Sequence, residues 1–397
     1  MKDLDLVKPS EEEVKHVTHI AGCFLEKLNK VLKDAKAAIG GSVAKGTWLK
    51  GGHDIDIFVQ FPLKFKDKDI STLLEKDLKK LFKDVSRVHG SRDYFKIEYS
   101  SYIFEIIPVL KVTSPESSEN ITDSSPFHTE WVKKNINPKL QGEIRLTKAF
   151  LKANRLYGAE SYIKGFSGFV TEILTIHYSS FEKLIKAAMK WKEVEIIGDK
   201  QHAKKLNQAK LSPLIVIDPT CSSRNAAAAL SDKKFRKFIE TAKEFYHNPS
   251  PIYFEIKTKD LEELKDALIL KAMPLERKSD IAGAKLLKAQ EYIKTILNQN
   301  GFNVTEHDME FGNESLLWFF TEKKEVPKRF KHFGPPLKEA KHVEVFKEKY
   351  PNYKIENDKI FVELERKHTH INQFIKDLIS SDPYIKEKVK SISVVNE

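Results

Sequence analysis

The sequence predicts an α+β protein built in three regions. Short strand-like runs alternate with amphipathic helices over residues 1–127, a mostly helical pattern fills 128–257, and an α+β pattern returns over 258–397. A Ser/Pro/Asn/Asp-rich stretch, VTSPESSENITDSSPF (112–127), is the clearest loop and marks the first boundary. At 397 residues the chain is also longer than one core normally organises.

The elements follow in order. Ser10-Glu11-Glu12-Glu13 has the Ser-x-x-Glu form of a capping box, and Val14, Val17, Ile20, Phe24, Leu28 and Val31 then recur at helical spacing, so a helix is expected within 10–36. A strand over 37–39, a Gly-Gly-Ser turn, a short helix and a strand containing Asp-x-Asp come next. Residues 64–83 read as a lysine-rich amphipathic helix. YFKIEY and SSYIFEIIPVL read as the arms of a hairpin whose second arm is apolar on both faces except at Glu105, as in a central strand.

HTEWVKKNI, EIRLTKAFLKANRLYG and GFVTEILTIHYSSFEKLIKAAMKW read as helices, LSPLIVIDP as a strand, and SRNAAAALSDKKFRKFIETAKEFY as a further helix. Beyond residue 258 a long helix (280–299) leads to strand-like NVTEHDMEF and SLLWFFTEK. A basic loop, VPKRFKHFGPPLKEAKH (326–342), follows, and a helix near 370–380 is expected to close the chain.

Composition limits the function classes. Hydrophobic residues at 41% suffice for real cores, and a net charge of +11 points to a polyanionic partner. The two cysteines, Cys23 and Cys221, have no metal-ligand spacing and suit a reducing, cytoplasmic compartment. No apolar run reaches the ~20 residues that span a bilayer, and MKDLDLVKPSEEEV lacks the apolar core of a signal peptide.

Residues 40–59, GGSVAKGTWLKGGHDIDIFV, carry the chemistry. Strand alternation puts Asp54 and Asp56 on one sheet face. Carboxylates that close repel unless a cation sits between them, and an all-oxygen set suits Mg²⁺. The Gly40-Gly41-Ser42 turn lets backbone approach a phosphate, with Lys45 one turn on. Together these read as a two-metal phosphoryl-transfer site. Glu105 is the expected third ligand, with Glu98 on the other hairpin arm as the alternative. His128, Lys148, Tyr157 and Arg224 lie outside this segment; taken singly they read as helix caps or solvated side chains.

With those residues assembled, the chain resembles the archaeal-type (class I) CCA-adding enzymes, tRNA nucleotidyltransferases of the DNA polymerase β-like superfamily. The resemblance rests on GGSVAKGTWLKGGHDIDIFV (40–59), SPFHTEW (125–131), EIRLTKAFLKANRLYGAESYIKGFSGFVTEIL (143–174), DPTCSSRNAAAALS (218–231) and KHFGPPLKEAKH (331–342). The first marks only the superfamily; the central blocks narrow it to the family.

The resemblance implies a polymerase β-like nucleotidyltransferase domain (1–127), a mostly helical nucleotide-binding domain (128–257) and an α+β tRNA-binding region (258–397). It implies addition of CCA to the tRNA 3′ end from CTP and ATP, without a nucleic-acid template, and a homodimer. Asp54, Asp56 and Glu105 fall where the family holds its metal carboxylates, and Ser42, Lys45, His128, Lys148 and Tyr157 where it contacts the nucleotide. Arg224 matches a base-reading arginine. Glu105 stands where aspartate is common, and Lys45 where arginine is common, which removes a bidentate phosphate fork. Lys328, Arg329, Lys331, Lys338 and Lys341, with His332 and His342, suit the backbone of an A-form acceptor stem. Another polymerase β-like transferase, such as a poly(A) polymerase, and an RNA-binding protein with a decayed catalytic domain are the alternatives.

Overall fold

The computed structural model describes residues 7–52, 54–256, 262–275 and 279–395. The chain divides into two compact units, Met1–Lys257 and Thr258–Glu397. The division expected after residue 257 lies among residues 257–261, outside the described ones, as do the first six residues.

The first unit begins with half of the expected capping box, since the Glu13 carboxylate accepts from the Gly51 amide at 2.9 Å. Helix α1 (Glu11–Val31) starts at Ser10, whose hydroxyl accepts from the Glu13 amide at 3.0 Å. Strand β1 (Lys36–Ile39), helix α2 (Gly41–Lys45) and strand β2 (Asp54–Pro62) follow. Helix α3 (Ile70–Leu81) and strands β3 (Ser86–Val88), β4 (Tyr94–Tyr99) and β5 (Tyr102–Lys111) complete the region. Ser100 and Ser101 both take positive φ (52° and 64°), the two-residue turn whose twist suits a hairpin.

The sheet order is β1-β2-β5-β4-β3, with β2 and β5 parallel and the other pairs antiparallel. Pleating divides its two faces. Ile55, Ile57, Phe95, Ile97, Phe104 and Ile106 are buried with Val17, Phe24 and Leu28 of α1 and Leu74 and Leu78 of α3; Phe24 stacks on Phe104 with ring centroids 3.9 Å apart. The other face carries the polar groups of the site.

The Ser/Pro-rich stretch after β5 is tied down rather than loose. Asp123 is buried, takes both Nη groups of Arg92 and accepts from the Leu110 amide at 2.7 Å. Helix α4 (Ser125–Asn135) begins there, so the expected 127/128 division falls inside it. Helices α5 (Pro138–Ala153), α6 (Gly168–Tyr178) and α7 (Phe181–Ala188) follow; Ser179 in the left-handed region and the Ser180 cap split the last two, which the sequence reads as one. A small sheet of β6 (Glu195–Ile197), β7 (Leu214–Asp218) and β8 (Cys221–Asn225) packs against a short helix, α8 (Lys200–Lys204). Helix α9 (Asp232–His247) then packs Phe235 and Phe238 into an aromatic core with Phe150, Phe166, Phe181 and Trp191. The expected helix beginning at 223 is corrected here. Residues 221–225 form β8, because Asn225 bonds the Val216 amide through its side chain and holds the segment beside β7.

The second unit contains β9 (Leu268–Pro274), α10 (Ser279–Gln299), β10 (Val304–Glu310), β11 (Ser315–Thr321), β12 (Arg329–Pro336), α11 (Ala340–Lys349), β13 (Lys354–Glu356), β14 (Lys359–Glu365), α12 (Ile371–Ser381), α13 (Pro383–Lys386) and β15 (Val389–Val394). Its sheets run β10-β11-β9-β15 and β12-β14-β13. Two expectations change. Residues 329–336 of the basic segment are strand β12, not loop, with His332 stacked on Phe346 of α11 and Arg329, Lys331 and Phe333 exposed. The described chain closes on β15 rather than on a helix. No described helix is long and apolar enough to cross a membrane.

Removing the Asp123 carboxylate leaves Arg92 and the Leu110 amide without their acceptor. Asp123→Ala is expected to destabilise the first unit by about 3 kcal/mol, read by urea unfolding.

Candidate active site

The polar sheet face begins with register. Asp56 pairs with Glu105 and Asp54 with Ile103 across the parallel β2–β5 ladder, while Lys96 and Glu98 of β4 pair with Glu105 and Ile103. Asp54, Asp56, Glu105, Lys96 and Glu98 therefore share one face. Burial, then the nearby charges of Glu105 and Asp54, raise the Asp56 carboxyl to about 6. Such crowding of acids is what a cation relieves.

Gly41 meets Asp56 so closely that an added Cβ would lie 1.6 Å from Oδ2, and its φ is +54°. Only glycine fits there. The Gly40 amide donates to the Asp56 carbonyl at 2.8 Å, so the turn and the strand are locked together. Glu105 is half-buried and bonds Lys96 at 2.7 Å, which holds the Lys96 ammonium above its usual pKa even though burial opposes it. Among the described residues no three His, Cys, Asp or Glu side chains converge at ligand distance. The oxygen donor set and the raised Asp56 pKa fit a hard divalent cation, with Glu105 turned toward Lys96 in this conformation.

Beside this face, helix α5 grips the segment that leaves α2. Gln141 donates to the Lys45 carbonyl at 3.1 Å, and Arg145 donates to the carbonyls of Gly46 and Trp48 at 2.6 and 3.1 Å. Lys148 Nζ donates to the carbonyl and the hydroxyl of Thr47, each at 3.2 Å. The spacing 141, 145, 148 is one helix face. Glu172 of α6 completes the clamp: it is 0% exposed, takes Lys45 Nζ at 2.7 Å and the Thr47 hydroxyl at 3.0 Å, and has Lys148 Nζ at 3.6 Å. Burial opposes its ionisation, but the charges of Lys45 and Lys148 prevail and hold its carboxyl below the usual range. Burial pushes Lys148 down to about 8 against the pull of Glu172. The Tyr157 phenol is raised by burial and by the charges of Glu172 and Asp56.

A second cluster gathers His128, Asp218 and Arg224. His128 Nε2 and Arg224 Nη1 each approach Asp218 Oδ2 at 3.1 Å, and the His128 ring stacks on Phe169 with centroids 3.9 Å apart.

The expected site residues are thus distributed in a definite way. Lys45 and Lys148 meet at Glu172, His128 and Arg224 meet at Asp218, and Ser42 lies within α2, its carbonyl accepting from the Thr47 amide at 2.9 Å. In the second unit Arg329 pairs with Glu365 at 3.1 Å and Lys331 with Glu356, whereas Lys328, Lys338 and Lys341 are exposed. Sequence reasoning passed over Gln141, Arg145, Glu172 and Asp218. The last two carried a usable signal: each is a lone acid in an apolar run, FVTEILTI and LIVID.

Three family descriptions match consecutive parts of the chain: a nucleotidyltransferase domain over 23–128, the second domain of tRNA nucleotidyltransferase over 142–255, and the C-terminal domain of CCA-adding enzyme over 277–392. A CCA-adding enzyme of Nanoarchaeum equitans is 38% identical over 359 residues, 88% of each chain. That of Methanosarcina barkeri is 31% identical over 98% of this chain and 91% of its own. The chain belongs to the CCA-adding enzyme family. It is similar to a Cid1 structure described by its RNA terminal uridylyl transferase activity, with a TM-score of 0.51 at 12% identity, over 65% of this chain and 97% of that one. That likeness shows the nucleotidyltransferase fold alone.

Loss of Glu172 would leave two clustered lysines without their counter-charge. Glu172→Gln is expected to cost about 3 kcal/mol at pH 7 in chemical unfolding. The folded carboxyl lies below the unfolded value of 4.5, so its contribution is present above that pH and declines as pH falls toward the folded value. The gap between wild type and variant should narrow in acid; a constant gap from pH 7 to 3.5 would contradict this.

Proposed function

We propose that the chain adds C, C and A to the 3′ end of tRNA from CTP and ATP, releasing pyrophosphate at each step. The observation that supports this most strongly is membership of the CCA-adding enzyme family along nearly the whole chain, C-terminal domain included. The same breadth disfavours a general polymerase β-like transferase or a decayed RNA-binding relative.

In this reading the tRNA 3′-oxygen forms a bond to the α-phosphorus while the bond to the pyrophosphate oxygen breaks. Ser42 and Lys45 meet the triphosphate, with Lys148 adding charge from α5. Asp54, Asp56 and Glu105 would hold Mg²⁺, which when bound would lower the pKa of the 3′-hydroxyl and offset the charge of the leaving phosphates. Glu105, released from Lys96, brings the third carboxylate to the pair on β2, a role for which Glu98, paired across from Ile103, is less well placed. Tyr157 and His128 border the nucleotide, and Arg224 offers donors to the base edge. Positioning and charge neutralisation supply such catalysis without a covalent intermediate. Two cysteines without a disulfide and a tRNA substrate fit the cytoplasm.

Lys328, Lys338 and Lys341 are proposed as backbone contacts for the acceptor stem, with Arg329 and Lys331 joining them by exchanging Glu365 and Glu356 for phosphates. Exposed ion pairs exchange at little cost.

Asp56→Ala is expected to abolish incorporation of CTP and ATP while tRNA binding in gel-shift assays is largely retained, and chelating the divalent cation should stop the wild type reversibly. Substantial turnover by the variant would sink the assignment. Lys338→Ala combined with Lys341→Ala should weaken tRNA binding and reduce the slope of log K against log salt by roughly one per lost phosphate contact; an unchanged slope would remove these lysines from the interface.

A further inference from the structure

We propose that Asp218 is the positioning residue for Arg224 and, through it, a determinant of which base the pocket accepts. The inference rests on the reading of Arg224 as the group that meets the base edge.

Asp218 ends β7 and is 1% exposed. Its two oxygens do separate jobs. Oδ1 accepts from the Thr220 amide at 2.8 Å and from the Thr220 hydroxyl at 2.7 Å, which fixes the rotation of the carboxylate and closes the turn between β7 and β8. Oδ2 accepts from Arg224 Nη1 and His128 Nε2, each at 3.1 Å. Those two nitrogens are themselves 3.1 Å apart. Two N–H groups at that separation repel each other unless an anion lies between them, so the carboxylate is what sets the arrangement. Because a carboxylate only accepts, a His128–Asp218 bond requires the His128 proton on Nε2. Burial opposes the charge on Asp218, and the bonds from His128 and Thr220 overcome it, holding the carboxyl below its usual range.

Arg224 is consequently pinned at one corner. Its side chain is 30% exposed, and Nε and Nη2 have no protein partner among the described residues. A planar group anchored through a single nitrogen, with its other donors available, is prepared to read acceptors on a base edge at little entropic cost. The rear wall is equally fixed, because His128 stacks on Phe169 of α6.

The separate use of the two oxygens makes the role testable. Asp218→Asn keeps a carbonyl for Thr220, and so the turn, but replaces the acceptor of Arg224 and His128 with an N–H donor. In the full chain with tRNA lacking its terminal nucleotides, kcat/KM is measured for CTP against UTP at the C-adding steps and for ATP against GTP at the A-adding step. Calorimetric affinity for inorganic tripolyphosphate and thermal unfolding serve as controls. The variant is expected to lose roughly tenfold in discrimination, with tripolyphosphate affinity unchanged within about twofold. Arg224→Ala should lose discrimination at least as far. Thr220→Val, which keeps the Asp218 charge and frees only its rotation, should lose about threefold.

If Arg224→Ala loses discrimination while Asp218→Asn and Thr220→Val keep it, Asp218 only closes the turn and the inference is overturned. Equal losses of discrimination and tripolyphosphate affinity would also overturn it, since that is general collapse of the pocket. If Arg224→Ala keeps full discrimination, the base-reading role fails, and the positioning role fails with it.

Discussion

One buried carboxylate, Glu172, holds the segment that links β1 to β2 against the helices that follow it. Lys45 and Thr47 leave α2 with their side chains on its two oxygens, and Lys148 reaches the same place from α5. Taking three ionisable groups out of water costs several kcal/mol each before their attraction offsets it, so the cluster adds little net stability over an apolar packing. What it does supply is registry. Each alternative placement of the segment leaves a buried charge unmatched, and Gln141, Arg145 and Lys148 of α5 together hold four consecutive carbonyls, those of residues 45–48. The turn between β1 and β2 is therefore fixed by groups outside its own sheet.

The sheet itself adds a second constraint. Parallel pairing of β2 with β5 brings Asp56 level with Glu105, and pleating sends their apolar neighbours to the opposite face. Gly41 then lets the turn lie directly on Asp56. A single-residue slip of β2 would place Ile55 and Ile57 toward solvent and both aspartates in the core, at a cost far above that of any one contact. The position of the acids is thus enforced by the hydrophobic pattern around them.

How much of this could be read from the sequence depends on the range of the interaction. The Ser10 cap, the turn before α2, the Asp-x-Asp strand and the Ser100-Ser101 hairpin are local, and local chemistry announced them. Glu172 and Asp218 have partners 127 and 90 residues away, Lys45 and His128, so spacing could not pair them. A lone acid in an apolar run was nonetheless a signal, and the same reasoning that singled out Glu105 applies to both. Residues 223–225 were read as helix because the alanine run beside them favours one; the Asn225 bond to Val216 overrides that propensity. In β12 the alternation of Arg329, Phe330, Lys331 and His332 is strand-like, but the density of charge and the neighbouring Gly334-Pro335-Pro336 hid it.

Two acids, then, organise the cations of the first unit in the same physical way. Each is buried in an apolar element, satisfied on both oxygens, and shared between two cationic or protonatable side chains from different segments. Glu172 gathers lysines whose compact charge suits phosphate; Asp218 gathers a guanidinium and an imidazole whose directional donors suit a base. The two sets of bonds share no residue, although both clusters lean on α6. A chain that must accept the same triphosphate on two different bases benefits from that separation. On the proposed assignment, phosphate binding can stay constant while base recognition is adjusted by a cluster of its own, and the common and the distinguishing parts of the substrate would be governed by different buried carboxylates.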